Sequence, residues 1–126
     1  MYAKGLIVFA LLFASCTKEE ITARVYPRVM TREVANLGMG AATFNGEITF
    51  TSTKVIEHGF LWTIVGFPSL TNTNCEKQSL GARDSTGKFE YTVSQGLQLG
   101  KTYSMCAYAK SDQYVVYGKI FMFVSK

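Results

Sequence analysis

One histidine, three cysteines and nine carboxylates are the residues of this 126-residue chain best suited to chemistry. His58 is the only histidine available as a catalytic base, and Glu57 precedes it in a segment that reads as a strand. Neighbours on a strand point to opposite faces, so these two cannot share a proton or a metal ion unaided. Asp84, Asp112 and the seven Glu lack the close spacing of a calcium loop. No serine sits in a Gly-x-Ser-x-Gly elbow. Gly38-x-Gly40 is too short for a phosphate-binding loop and opens no helix. The residues therefore predict no catalytic group, no metal site and no cofactor, and a chain that is not an enzyme.

Those residues need a scaffold, and composition says which kind. Apolar residues make up 48% of the chain and aromatics 13%, which excludes a disordered segment and favours strands. The 13 basic and 9 acidic residues give +4, but the basic ones are scattered singly, without the clustering a nucleic-acid surface requires. Leu97 to Lys110 (LQLGKTYSMCAYAK) is the clearest element. After a turn at Leu99 to Lys101, Tyr103, Met105, Ala107 and Ala109 fall on one face, and Ser104, Cys106, Tyr108 and Lys110 on the other. A tyrosine just after such a turn also predicts a tyrosine corner, with the phenol bonding to nearby backbone.

Further strands are predicted on the same grounds. Ile21 to Val29 enters an edge segment, with Pro27 where an edge tolerates a missing donor, and Thr31 to Val34 continues it. Asn36 to Gly40 reads as a loop, Ala41 to Phe50 as an alternating strand, and Val55 to Ile64 as an inner strand covered on both faces. Gly66 to Asn74 is a long loop, Cys75 to Leu80 holds a short strand, and Lys88 to Val93 alternates. Ser111 to Gln113 turns the chain into one closing strand, Tyr114 to Val124. About seven short strands at this spacing predict an all-β, antiparallel sandwich of immunoglobulin-like size over residues 24–126.

The N-terminus carries a different message. Lys4, the apolar run Leu6 to Phe13 and the small residues Ala14 and Ser15 describe a secretory signal over residues 1–15, too short to span a membrane. Phe13-Ala14-Ser15-Cys16 resembles the lipobox of bacterial lipoproteins, with Phe13 where Leu is usual. That resemblance implies cleavage before Cys16, acylation of Cys16 and a lipidated tether over residues 16–23; an ordinary secretory signal with a chance cysteine is the alternative. Lys18, Glu19 and Glu20 resemble the export signal of Bacteroidota surface lipoproteins. This implies an outer-membrane protein facing the cell surface, the periplasmic face being the alternative. Cys75 and Cys106 then remain, in an oxidising compartment, as a candidate disulfide or two free thiols.

Glu57-x-Gly59-Phe60-x-Trp62, Pro68, Gly87-x-Phe89, Leu97-x-Leu99-Gly100-x-Thr102-Tyr103, Ala107-Tyr108-Ala109 and Tyr117-Gly118 follow one another along the chain. With them, Glu33 to Phe123 resembles the fibronectin type III-like domains of those lipoproteins. Cys106 departs from the arginine usual there. The resemblance implies a spacer or binding module rather than a reaction.

The leading expectation is a membrane-anchored, non-catalytic binding module for a protein or polysaccharide. The alternative is a structural subunit of a surface filament or complex working by edge-strand addition. Oligomeric state is open. Each strand has one face too many for the core, so Leu61, Cys106, Tyr108, Ile120 and Met122 form either an exposed apolar patch or a face covered by the N-terminal segment or the Gly66 to Asn74 loop. Tyr108, Tyr114 and Tyr117 are candidates for stacking on sugar rings.

Overall fold

The computed structural model describes residues 26–126, so Cys16, Lys18, Glu19 and Glu20, with the leader and most of the tether, lie outside the described residues. Eight strands follow in order: β1 (Arg28–Gly38), β2 (Ala41–Phe50), β3 (Glu57–Thr63), β4 (Glu76–Ser79), β5 (Gly87–Val93), β6 (Thr102–Lys110), β7 (Val115–Tyr117) and β8 (Phe121–Val124). They form an antiparallel sandwich. One sheet has the order β1-β2-β5; the other runs β4-β3-β6, with both β7 and β8 on the far side of β6.

Alternation builds the core. Tyr103, Met105, Ala107 and Ala109 of β6 face inward together with Phe60 and Trp62 of β3, and meet Ala42, Phe44, Ile48, Phe89 and Val93 from the opposite sheet. Phe44 is the hub: its ring lies 5.7 Å from Phe60, 5.2 Å from Trp62 and 5.8 Å from Phe123, all tilted as aromatic quadrupoles prefer. Tyr103 stacks on Phe123 at 5.5 Å and its hydroxyl accepts the Gln98 N–H at 2.8 Å, which is the tyrosine corner.

Two glycines mark close approaches. A Cβ on Gly59 would lie 1.9 Å from the Gln78 carbonyl oxygen of β4, so only glycine lets β3 and β4 pair there. At Gly46 it would meet the Phe89 ring at 2.8 Å; the missing side chain is the space that Phe89 fills.

Strand limits differ from expectation at two places. β1 continues through Asn36 to Gly38, leaving Met39-Gly40 as the turn, because irregular pairing with β2 absorbs residues that read as loop. The closing strand is split into β7 and β8, making eight strands rather than seven. Tyr117 lies opposite Tyr108 and Phe121 opposite Met105, so four steps on one strand span three on β6. At the break, the Thr31 hydroxyl of β1 accepts the Ala107 N–H at 3.0 Å, and the Gly118 N–H donates to Ala107 O at 2.8 Å. A Cβ on Gly118 would stand 2.5 Å from that same hydroxyl, so the Tyr117-Gly118 pair is the passage through which β1 reaches β6.

Candidate functional site

The outward face of β3 and β6 carries Leu61, Cys106 and Tyr108 in a second apolar cluster, all at 1% exposure or less. Of the two arrangements open for this face, the covered one holds for Leu61, Cys106 and Tyr108, while Ile120 and Met122 stay exposed. Residues 64–75 fold back across it, with Leu70 and Cys75 packed on the cluster and Pro68 buried above Cys106. Leu61 and Tyr108 are therefore buried under the loop rather than exposed on the outer surface.

The covering loop is tied internally and to the sheet. Asn72 Nδ2 donates to Val65 O and Phe67 O at 3.0 and 2.9 Å, while its Oδ1 accepts the Asn74 N–H at 2.9 Å. Thr63 Oγ1 donates to the Val65 and Asn74 carbonyls. The Leu70 N–H donates to the Tyr117 hydroxyl at 3.1 Å. Tyr117 remains 42% exposed, yet its hydroxyl serves as a clasp for the loop. Tyr114 is 41% exposed with its ring 5.7 Å from Tyr26.

Between loop and sheet remains a recess of about 340 Å³, floored by Leu61 and Leu70 and rimmed by Glu57, Lys77, Lys110, Ser69, Asn72 and Cys75. Glu57 organises its polar end. Its Oε2 accepts a hydrogen bond from the buried Tyr108 hydroxyl and pairs with Lys77 Nζ at 3.2 Å, and Lys110 lies opposite on β6. The Tyr108 bond, the two lysines contributing less, holds the Glu57 carboxyl below its ordinary value against the opposing effect of burial. Burial, then the Glu57 charge, pushes the Tyr108 phenol up, so it stays a donor.

Cys75 and Cys106 stand as free thiols that share the apolar cluster. Burial raises both, Cys106 to about 12. Neither supplies the thiolate a nucleophile needs. His58 points the other way, into the core: its ring meets Phe89 edge-on at 4.8 Å and Nδ1 lies 2.7 Å from Gly81 O. A donor is required there, so the proton sits on Nδ1, and burial lowers the imidazole below its usual value. Glu57 and His58 thus stand on opposite faces. Among the described residues no three of His, Cys, Asp or Glu are grouped to hold a metal. What this arrangement offers a ligand is an apolar floor, a carboxylate and two ammonium groups, which suits binding.

Of the remaining sequence candidates, Ile120 and Met122 are exposed, at 36% and 68%, beside β6 and away from the recess. Lys77, Lys110, Ser69 and Asn72 were missed. The Glu57-His58 alternation indicates that Glu57 leaves the core, but no local pattern says where the loop lands.

No family model matches the chain, and no curated protein is similar to it in sequence. Its fold is similar to that of the sensor domain of the anti-sigma factor RsgI4 from Pseudobacteroides cellulosolvens, in two solved structures. One covers 79% of this chain and 75% of its own, with a TM-score of 0.60 and 11% identity. The other, a shorter form of that domain, covers 82% and 97%, again at 0.60 and 11%.

Proposed function

We propose that this protein is a lipoprotein, anchored through Cys16 to the outer membrane and facing the cell surface, whose fibronectin type III-like sandwich is a non-catalytic binding module. Its binding site is the recess between residues 64–75 and the β3–β6 face. The observation that carries this reading is the rim itself: Glu57, Lys77 and Lys110 gathered over an apolar floor, with no activated nucleophile or base beside them. A polysaccharide segment fits this chemistry best, because its hydroxyls can exchange hydrogen bonds with carboxylate and ammonium groups while a ring face lies on Leu70 or on the exposed Tyr117. That a domain of the same fold serves as a sensor in RsgI4 is in keeping with recognition without catalysis.

The test has two arms. Surface polysaccharide fractions are titrated against wild type, Lys110→Ala and Tyr114→Ala, with unfolding midpoints checked alongside. Binding lost in Lys110→Ala and kept in Tyr114→Ala supports the recess; equal binding by all three refutes it. Protease treatment of intact cells, beside Cys16→Ala, tests the anchor: wild type shaved and the variant released is the expected result, and a protected wild type places the protein on the periplasmic side.

A further inference from the structure

Exposed sheet edges invite association, and proteins blunt them with charge, proline, bulges or shortness. Most edges here are blunted. β4 reads Glu76-Lys77-Gln78-Ser79, β5 carries Lys88 and Glu90, and β1 follows Pro27 and is bulged between Thr31 and Val34. β7 has three residues and Tyr26 to Met30 lie along it. β8 is Phe121-Met122-Phe123-Val124, with no charge, proline or bulge; β1 packs against it near Phe121, but among the described residues it forms a ladder with β6 alone.

Its register shows which backbone groups are open. The Ser125 N–H donates to Lys101 O, the Ser125 carbonyl accepts the Gly100 N–H, and Phe123 lies opposite Tyr103. Bonding alternates along an antiparallel ladder, so Ser125, Phe123 and Phe121 turn their N–H and C=O groups toward β6. Met122 and Val124 turn theirs outward. Their side chains, with that of Ile120, form an exposed apolar row at 68%, 49% and 36%.

We infer that β8 is a self-pairing edge, joining two copies of this chain antiparallel about a two-fold axis at Met122. The occupant follows from complementarity of the strand with itself. Turned end for end about Met122, Val124 meets Ile120 of the second copy and Phe121 meets Phe123. Lys119 then faces Ser125 and Lys126 faces Gly118, so no two like charges lie opposite. Met122 exchanges both backbone hydrogen bonds with its own counterpart, and the row of Ile120, Met122 and Val124 becomes a two-strand apolar ladder. A symmetric contact of this kind closes at two subunits. It is independent of the recess and of its ligand.

Cysteine cross-linking of the full-length chain in membranes tests the register, in a Cys75→Ser background. Residues directly opposite in a bonded pair have Cα atoms about 5.5 Å apart, within disulfide range, whereas Val124 and its own counterpart are offset by four residues, about 13 Å. A mild oxidant should therefore link Met122→Cys into dimers and leave Val124→Cys monomeric. Linking of both alike, of neither, or of Met122→Cys to a different protein overturns the inference. Sedimentation of the full chain in detergent provides the second readout. Wild type should shift from monomer to dimer with concentration, and Met122→Lys, which sets like charges opposite, should stay monomeric, with the unfolding midpoint of wild type at concentrations where wild type is itself monomeric. A wild type monomeric throughout, or a dimer indifferent to Met122→Lys, overturns it as well. Polysaccharide binding lost in Lys110→Ala with the dimer intact would separate the two sites.

Discussion

Replacing Tyr108 with Phe should cost about 1–2 kcal/mol at neutral pH and progressively less in acid. The hydroxyl is buried and donates to Glu57, and hydrogen bonds to charged groups contribute roughly 1.5–3 kcal/mol. The lower figure applies because the Glu57 side chain keeps 24% of its surface in solvent, so water and Lys77 partly replace the lost donor. Glu57 titrates below its ordinary value in the folded protein, chiefly because of this bond. A carboxyl lowered on folding contributes stability above its unfolded pKa of about 4.3 and loses it as pH falls through the folded value. The Tyr108→Phe penalty should thus be constant from pH 7 to about 5 and shrink below about 4 as Glu57 protonates. Urea unfolding of wild type, Tyr108→Phe, Glu57→Gln and the double variant at pH 7 and pH 3 measures this directly. A coupling below about 0.5 kcal/mol at pH 7, or a penalty equal at both pH values, would refute the account.

Other substitutions probe the frame around the site. Tyr103→Phe removes the acceptor for the Gln98 N–H and should cost on the order of 1 kcal/mol; an unmoved unfolding midpoint would count against the corner. Gly59→Ala sets a methyl group against the Gln78 carbonyl and should destabilise by about 3 kcal/mol or more, with hydrogen-exchange protection lost first in β4. Alkylation under native conditions should modify Cys75 slowly and leave Cys106 untouched until unfolding; equal rates for both would show that the loop does not cover the sheet.

How far the molecule was legible depends on the range of the forces involved. The two faces of β6 were readable because Tyr103, Met105, Ala107 and Ala109 alternate with Ser104, Cys106, Tyr108 and Lys110, and alternation is a local consequence of strand geometry. The corner was readable for the same reason: Tyr103 and Gln98 are five residues apart. The break between β7 and β8 was not, since it is set by Thr31, which reaches Ala107 from 76 residues away. Gly66 to Asn74 declared itself a loop by composition, but its landing on Leu61, Cys106 and Tyr108 depends on Asn72 and Tyr117, whose bonds no periodicity announces. The recess, being the gap left by that landing, was hidden with it.

The contact between Thr31 and Ala107 bears on how the domain resists tension. β1 is the first strand of the sandwich; it runs along β2 in one layer and is bonded through Thr31 to the middle of β6 in the other. A pull arriving from the N-terminal side would enter both layers at once, along the length of the β1–β2 ladder, so its bonds share the load instead of opening one after another. The last strand, β8, ends at the opposite pole, where Gly40 N–H holds the Lys126 carbonyl. Tethered by its beginning, such a sandwich would lose Thr31's grip on Ala107 before its core opened, and Thr31→Val should lower the force at which the first strand lets go.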